Sequence, residues 1–292
     1  MLSRYNRLSR VLLSGGLVVI MGPIACGKEL QPEPGGMPVV AAPVLPVAGI
    51  VHALAPPGSV ETVVLVPPGA NPATYEPSIR DLRRAATSLV YLEIGHPAFV
   101  FERTWLSGLL EGSLAERVRL FEGCTILDED PHAWLSTGCL ESAAAATAAA
   151  LARILPGHRE QIARNFEAFR ARLSDVGASA TDRLAPYRGR TFFVLHPAWG
   201  YFAHDYGLRQ VEILSHGTGD PGASRLAELI ESGRKEGIRA VFVQPQFNPA
   251  PAELVAEELG ARVVSIDPLG SDPVAILEET VAALVGAFEM RN

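Results

Sequence analysis

The stretch "GHREQIARNFEAFRARLSDVGASATDRLAP", Gly157 to Pro186, contains no internal proline. It places Ile162, Phe166 and Phe169 at helical spacing and puts Arg and Glu on the other faces. This pattern predicts one helix of about 28 residues, some 40 Å long at 1.5 Å per residue. A helix that long is a rigid spine between two units and not a loose linker. A coiled-coil partner is the competing reading, but no sustained heptad is present.

On either side of this rod, short apolar or β-branched runs alternate with helical pattern. "VVAAPV", "TVVLV", "SLVYLEI" and "RVRLF" precede it, and "TFFVL", "RQVEIL", "AVFVQ" and "RVVSI" follow. Continuous apolar strands separated by helices imply parallel sheets covered on both faces, so the expected class is α/β, built twice. The expected division is an N-terminal lobe over 38–156, the linking helix over 157–186 and a C-terminal lobe over 187–292. A chain of 292 residues, 48% hydrophobic and 20% charged, is long enough for two such units.

Arg4, Arg7 and Arg10 precede the apolar run "VLLSGGLVVIMGPIA", which is short for a membrane span and reads as an export signal over 1–25. It ends in "PIAC", which resembles the bacterial lipoprotein cleavage box and makes Cys26 the candidate lipidated residue. Pro23 departs from that box, and a plain secretory peptide or an uncleaved anchor is the alternative. Residues 26–37, rich in Pro and Gly, suit a flexible tether. These features place the protein in the periplasm or at the cell surface, touching membrane only through the lipid. A net charge of −7 with dispersed Lys and Arg argues against nucleic acid. Two further cysteines, Cys124 and Cys139, are an even number in an exported chain. A disulfide between them closes a loop of about 15 residues, stabilising by roughly 3 kcal/mol, and holds His132 inside it. Two reduced thiols are the alternative.

Three of the seven histidines sit in similar phrases: "HPAF" at His96, "PHAW" at His132 and "HPAW" at His196. His96, His196 and Asp267 each follow a strand candidate at its carboxyl end, where parallel sheets form ligand crevices. His132 comes from the loop beyond "RVRLF". Three imidazoles and a carboxylate suit tetrahedral Zn²⁺, and a shell of four protein ligands favours capture over catalysis.

The motifs "NPATYEPSIRDL", "DPHAWL", "HPAWGYFAHDYGL", "QPQFNPAPAELVAEELG" and "VSIDPLG" together resemble those of the cluster A-I periplasmic metal-binding proteins, the zinc and manganese receptors of ABC importers. The resemblance runs from about Pro38 to Phe288. It implies two α/β lobes bridged by one long helix, a metal between them, little hinge motion and delivery to a membrane permease. It also implies His132, His196 and Asp267 as ligands, with histidine at 196 pointing to zinc and manganese as the alternative. Ala73 stands where the family carries its first histidine. His96 is the expected replacement, and His216 in the glycine-rich "SHGTGDPGAS" is its rival. Gln244 stands where the family usually has glutamate.

Glu76, Trp134, Trp199 and Gln244 are expected to surround the ligands, the aromatics keeping the cleft dry. The partners implied are a permease and a metal ion, with a metallochaperone as a further candidate, and the chain is expected to act as a monomer. No enzymatic activity is expected. The rivals are a receptor of this fold retuned to manganese, iron or another solute, and a zinc hydrolase with Glu76 as general base.

Overall fold

The computed structural model describes residues 36–290 except 112, 114, 126, 128 and 215–220. The signal and lipidation expectations at 1–25 and Cys26, and the alternative ligand His216, lie outside the described residues.

In the first lobe the chain runs through β1 (Val39–Ala42), α1 (Leu45–Leu54), β2 (Glu61–Val64), α2 (Ile79–Ala86), β3 (Val90–Glu93), α3 (Val100–Leu110) and β4 (Glu116–Arg119) to α4 (Thr137–Ile154). Helix α5 (Arg159–Leu184) follows. The second lobe comprises β5 (Thr191–Val194), α6 (Gly200–Tyr206), β6 (Arg209–Glu212), α7 (Ala223–Glu236), β7 (Ala240–Val243), α8 (Ala250–Leu259), β8 (Arg262–Ser265) and α9 (Pro273–Glu289). The sheets have the orders β2-β1-β3-β4 and β6-β5-β7-β8, and every pairing is parallel. The two-lobe α/β expectation therefore holds.

Burial explains which runs became central. Strands β3, β5 and β7 are buried at all four positions, whereas the edge strands β4 and β8 leave charged residues in solvent. In each sheet the strand order switches sides between the two middle strands, β1 and β3 in one and β5 and β7 in the other, while all strands stay parallel. The carboxyl ends of those strands carry Gly95–His96, His196 and Gln244.

Helix α5 has 26 residues, about 39 Å, and buries Ile162, Phe169, Leu173, Val176, Ala180 and Leu184 along one stripe. It packs on α1 and the alanine-rich α4 of the first lobe and on α9 of the second. Arg172 on α5 bonds Asp272 at 2.6 Å and Glu278 at 3.4 Å, tying the rod to the start of α9. Helix α9 in turn reaches α1: a Cβ on Gly49 would lie 2.1 Å from the Ser271 carbonyl, so only glycine allows that approach. One apolar core, including Val40, Trp134, Ile162, Phe202 and Leu284, runs through both lobes. A smaller one around Phe193, Ile213 and Val255 lies within the second lobe. A shared core of this kind resists the opening of one lobe against the other.

Candidate metal centre

His132 caps a single 3₁₀ turn, Ala133–Leu135, between β4 and α4. Its ring nitrogen Nδ1 lies 2.6 Å from Asp130 Oδ1, and its backbone N–H donates to the same oxygen at 2.9 Å. A carboxylate oxygen accepts, so in this contact Nδ1 is the ring nitrogen that donates. This is the carboxylate–histidine arrangement that orients a metal-binding imidazole and raises its basicity. The other oxygen, Asp130 Oδ2, accepts the N–H of Gly200 at 2.8 Å, so one buried carboxylate joins the His132 turn to the start of α6 in the other lobe.

His196 leaves the carboxyl end of β5. Its backbone is clamped on both sides by Gln244, whose Oε1 accepts from the His196 N–H at 3.3 Å and whose Nε2 donates to the His196 carbonyl at 2.7 Å. Gln244 is 1% exposed and comes from the end of the neighbouring strand β7. The imidazole stacks on Phe247 with centroids 4.5 Å apart and stands edge-on to His132 at 5.5 Å. Zinc binds imidazole nitrogen at about 2.0–2.1 Å, so two rings at a tetrahedral angle stand roughly 5 Å apart between centroids. The pair thus has the spacing of two ligands to one ion.

Asp267 follows β8. Its Oδ1 accepts from the Leu269 N–H at 2.9 Å and from Gln246 Nε2 at 2.8 Å, so among the described residues both of these bonds use one oxygen. Trp134 Nε1 donates to the Pro268 carbonyl at 2.8 Å and its ring meets His132 at 5.1 Å, binding the Asp267 loop to the His132 turn across the lobes. Trp199 is buried below, its N–H donating to Gln210 and its Nε1 to Thr280.

The remaining expected residues lie differently. His96 is buried, with Nδ1 accepting from the Ala98 N–H at 3.0 Å and Nε2 at 3.1 Å from the Leu127 carbonyl. With Nδ1 an acceptor, the proton is on Nε2, and the nitrogens have protein partners where a ligand needs a lone pair. Ala73 and Glu76 are exposed, and no hydrogen bond among the described residues ties Glu76 to the cleft. His52, His158 and His204 are exposed. Cys124 and Cys139 are disulfide-bonded, Cα to Cα 5.6 Å, stapling the loop that carries Asp130 and His132.

Among the described residues no three His, Cys, Asp or Glu side chains form a ready coordination cluster. What stands assembled is the oriented pair His132 and His196, with Asp267 on an adjoining loop. Sequence reading overlooked Asp130 and Gly200, although Asp130 lies two residues before His132 and that spacing allows a backbone N–H and a ring N–H to meet one carboxylate. It also overlooked Glu102, which is 6% exposed and accepts the N–H groups of Ile94 and Gly95 at 2.8 Å each, supporting the turn before His96. Burial pushes the Glu102 carboxyl up to about 7, against the lowering effect of those two bonds.

Residues 40–287 match the family described as zinc-uptake complex component A periplasmic, ZnuA. The high-affinity zinc uptake system protein ZnuA of Haemophilus ducreyi is 31% identical over 145 residues, 49% of this chain and 47% of that protein. The aligned part thus spans about half the length of the curated relatives the chain matches. A ZnuA crystal structure superimposes with a TM-score of 0.80 at 31% identity, covering 86% of this chain and 99% of that one. The periplasmic zinc-binding protein TroA of Treponema pallidum, at 19% identity, shares the fold with a TM-score of 0.78 over 87% of this chain and 100% of its own.

Proposed function

The chain belongs to the zinc-uptake complex component A periplasmic family, a family of binding components and not of enzymes, and on that premise we propose that it captures Zn²⁺ between its lobes and hands it to an ABC permease. The observation that carries this reading is the pair of imidazoles 5.5 Å apart, one oriented by Asp130 and the other held by Gln244. His132 and His196 supply nitrogen, and Asp267 supplies oxygen. Two nitrogens and one oxygen favour zinc over manganese, which prefers oxygen donors. With alanine at position 73, the fourth position is filled by water or by a side chain from another loop. In this reading residues 1–25 direct export and Cys26 carries a lipid that keeps the protein at the membrane.

The test is metal analysis with chelator competition on the chain lacking its first 34 residues, repeated for His132→Ala, His196→Ala, Asp267→Ala and His216→Ala. One equivalent of tightly bound zinc, lost in the two imidazole variants and weakened in Asp267→Ala, is the expected result. Tighter binding of manganese or iron than of zinc supports the retuned receptor, and absence of any tight metal overturns the proposal. His216→Ala reads whether that residue supplies the fourth donor. Incorporation of labelled fatty acid into the full chain, abolished in Cys26→Ser, tests the anchor.

A further inference from the structure

His96 raises a separate question, because a buried histidine near a metal cleft is the natural replacement for a missing ligand. Its bonds give it another task. The Leu127 carbonyl, 31 residues away, is its Nε2 partner at 3.1 Å, and that same oxygen accepts the Asp130 backbone N–H at 3.0 Å. A carbonyl has two lone pairs, and here one faces His96 and the other Asp130. Asp130 then holds the His132 ring. The Leu127 N–H continues outward to the Tyr201 hydroxyl at 3.2 Å, one residue past the Gly200 that bonds Asp130. Burial pushes the Tyr201 phenol up, so its hydroxyl stays protonated in this contact.

The support behind His96 is equally definite. Gly95 has φ +70°, a backbone conformation that favours glycine, and Glu102 pins the Ile94 and Gly95 N–H groups from below. The imidazole also forms part of the wall of a cavity of about 250 Å³, together with Cys124, Ala133 and Tyr201. On that side the loop borders open space, while Leu127 and Cys124 pack against the main core, so the hydrogen bonds and the disulfide hold it together with that packing.

We propose that His96 is a positioning residue for the metal centre and not a ligand: through the Leu127 carbonyl it fixes Asp130, and through Asp130 the His132 imidazole. The proposal deepens the zinc-capture reading and rests on it for the metal readouts. Loss of a group bonded directly to a ligating imidazole costs about 10–100-fold in metal affinity, and His96, which acts through the Leu127 carbonyl and Asp130, is expected at the low end of that range with the ligand set intact.

The experiment compares wild type, His96→Ala and His96→Gln by zinc stoichiometry, zinc affinity and the visible spectrum of the Co²⁺-loaded protein. Amide hydrogen exchange across 124–132 is measured on the metal-free chains. Expected for His96→Ala are one equivalent of zinc, unchanged cobalt bands, affinity lower by about tenfold, and faster exchange in the loop. His96→Gln keeps an N–H donor where Nε2 stands, so it recovers most of the affinity and the protection. Altered cobalt bands or less than one equivalent of zinc in His96→Ala, unrescued by Gln, would make His96 a ligand and overturn the proposal. Wild-type affinity and exchange in His96→Ala overturn it as well. If the wild-type chain binds no zinc, the functional reading fails, while the metal-free exchange data still decide whether His96 holds the loop.

Discussion

Gly200 and Asp130 meet across the two lobes, the N–H of one donating to Oδ2 of the other at 2.8 Å. A Cβ at position 200 would fall 2.4 Å from that oxygen, too close for any side chain. Gly200→Ala must therefore displace the carboxylate that orients His132. Overpacking of this kind costs about 1–3 kcal/mol, and zinc affinity is expected to fall by at least about tenfold. Urea melts and chelator competition read the two effects. Gly286→Ala in α9, where a Cβ meets nothing within 4 Å, is the control and should be neutral or slightly stabilising.

Gln244→Glu restores the residue usual in the resembling family and separates the two halves of the amide clamp on His196. A carboxylate can still accept the His196 N–H but cannot donate to the His196 carbonyl, and at this depth it leaves two acceptors facing each other. A loss of about 1–3 kcal/mol in stability at neutral pH is expected from denaturant titration. Partial recovery at low pH, where the new carboxyl protonates and donates, would identify the missing bond as the cause.

The disulfide makes its own contribution. Replacing both Cys124 and Cys139 by serine releases a loop of 15 residues and should cost about 3 kcal/mol of stability. Since that loop carries Asp130 and His132, calorimetric zinc titration should also show weaker binding with unchanged stoichiometry. Equal affinity in the reduced wild type and the oxidised protein would mean that the hydrogen bonds alone suffice to hold the loop.

Glu102 predicts a pH dependence with a definite sign. Its carboxyl, raised by burial from 4.5 to about 7, binds a proton more tightly in the folded than in the unfolded chain. Its stabilising contribution is thus fully present below pH 4.5 and is lost as pH rises through 7, amounting to about 2–3 kcal/mol across that window. Glu102→Gln removes this slope. Stability measured from pH 5 to 8 should decline in wild type relative to the variant, and parallel curves would refute the assignment.

Much of the architecture was legible along the chain. The eight runs became the eight strands of the described residues, and the proline-free stretch became α5, because β-branched and apolar composition and helical spacing are local properties of the sequence. The core was harder to read: nothing in "LPVAGIVHAL" announces that Gly49 must admit the Ser271 carbonyl from the far end of the chain. At the site, the sequence marked His132, His196 and Asp267 through motif and strand end. It offered no means of telling a ligand histidine from one that holds a loop, because that depends on which atoms face each ring nitrogen.

By itself, then, the sequence determined the class of fold, the rod between the lobes and the residue types available to a metal, since these follow from periodicity, strand composition and donor chemistry. The tertiary structure alone decided the partners. It set Asp130 between His132 and Gly200, turned Gln244 onto the His196 backbone, and gave His96 to the Leu127 carbonyl. The physical reason is that hydrogen bonds between residues tens of positions apart depend on how two sheets and one helix bring loop ends together, and no local pattern encodes that distance.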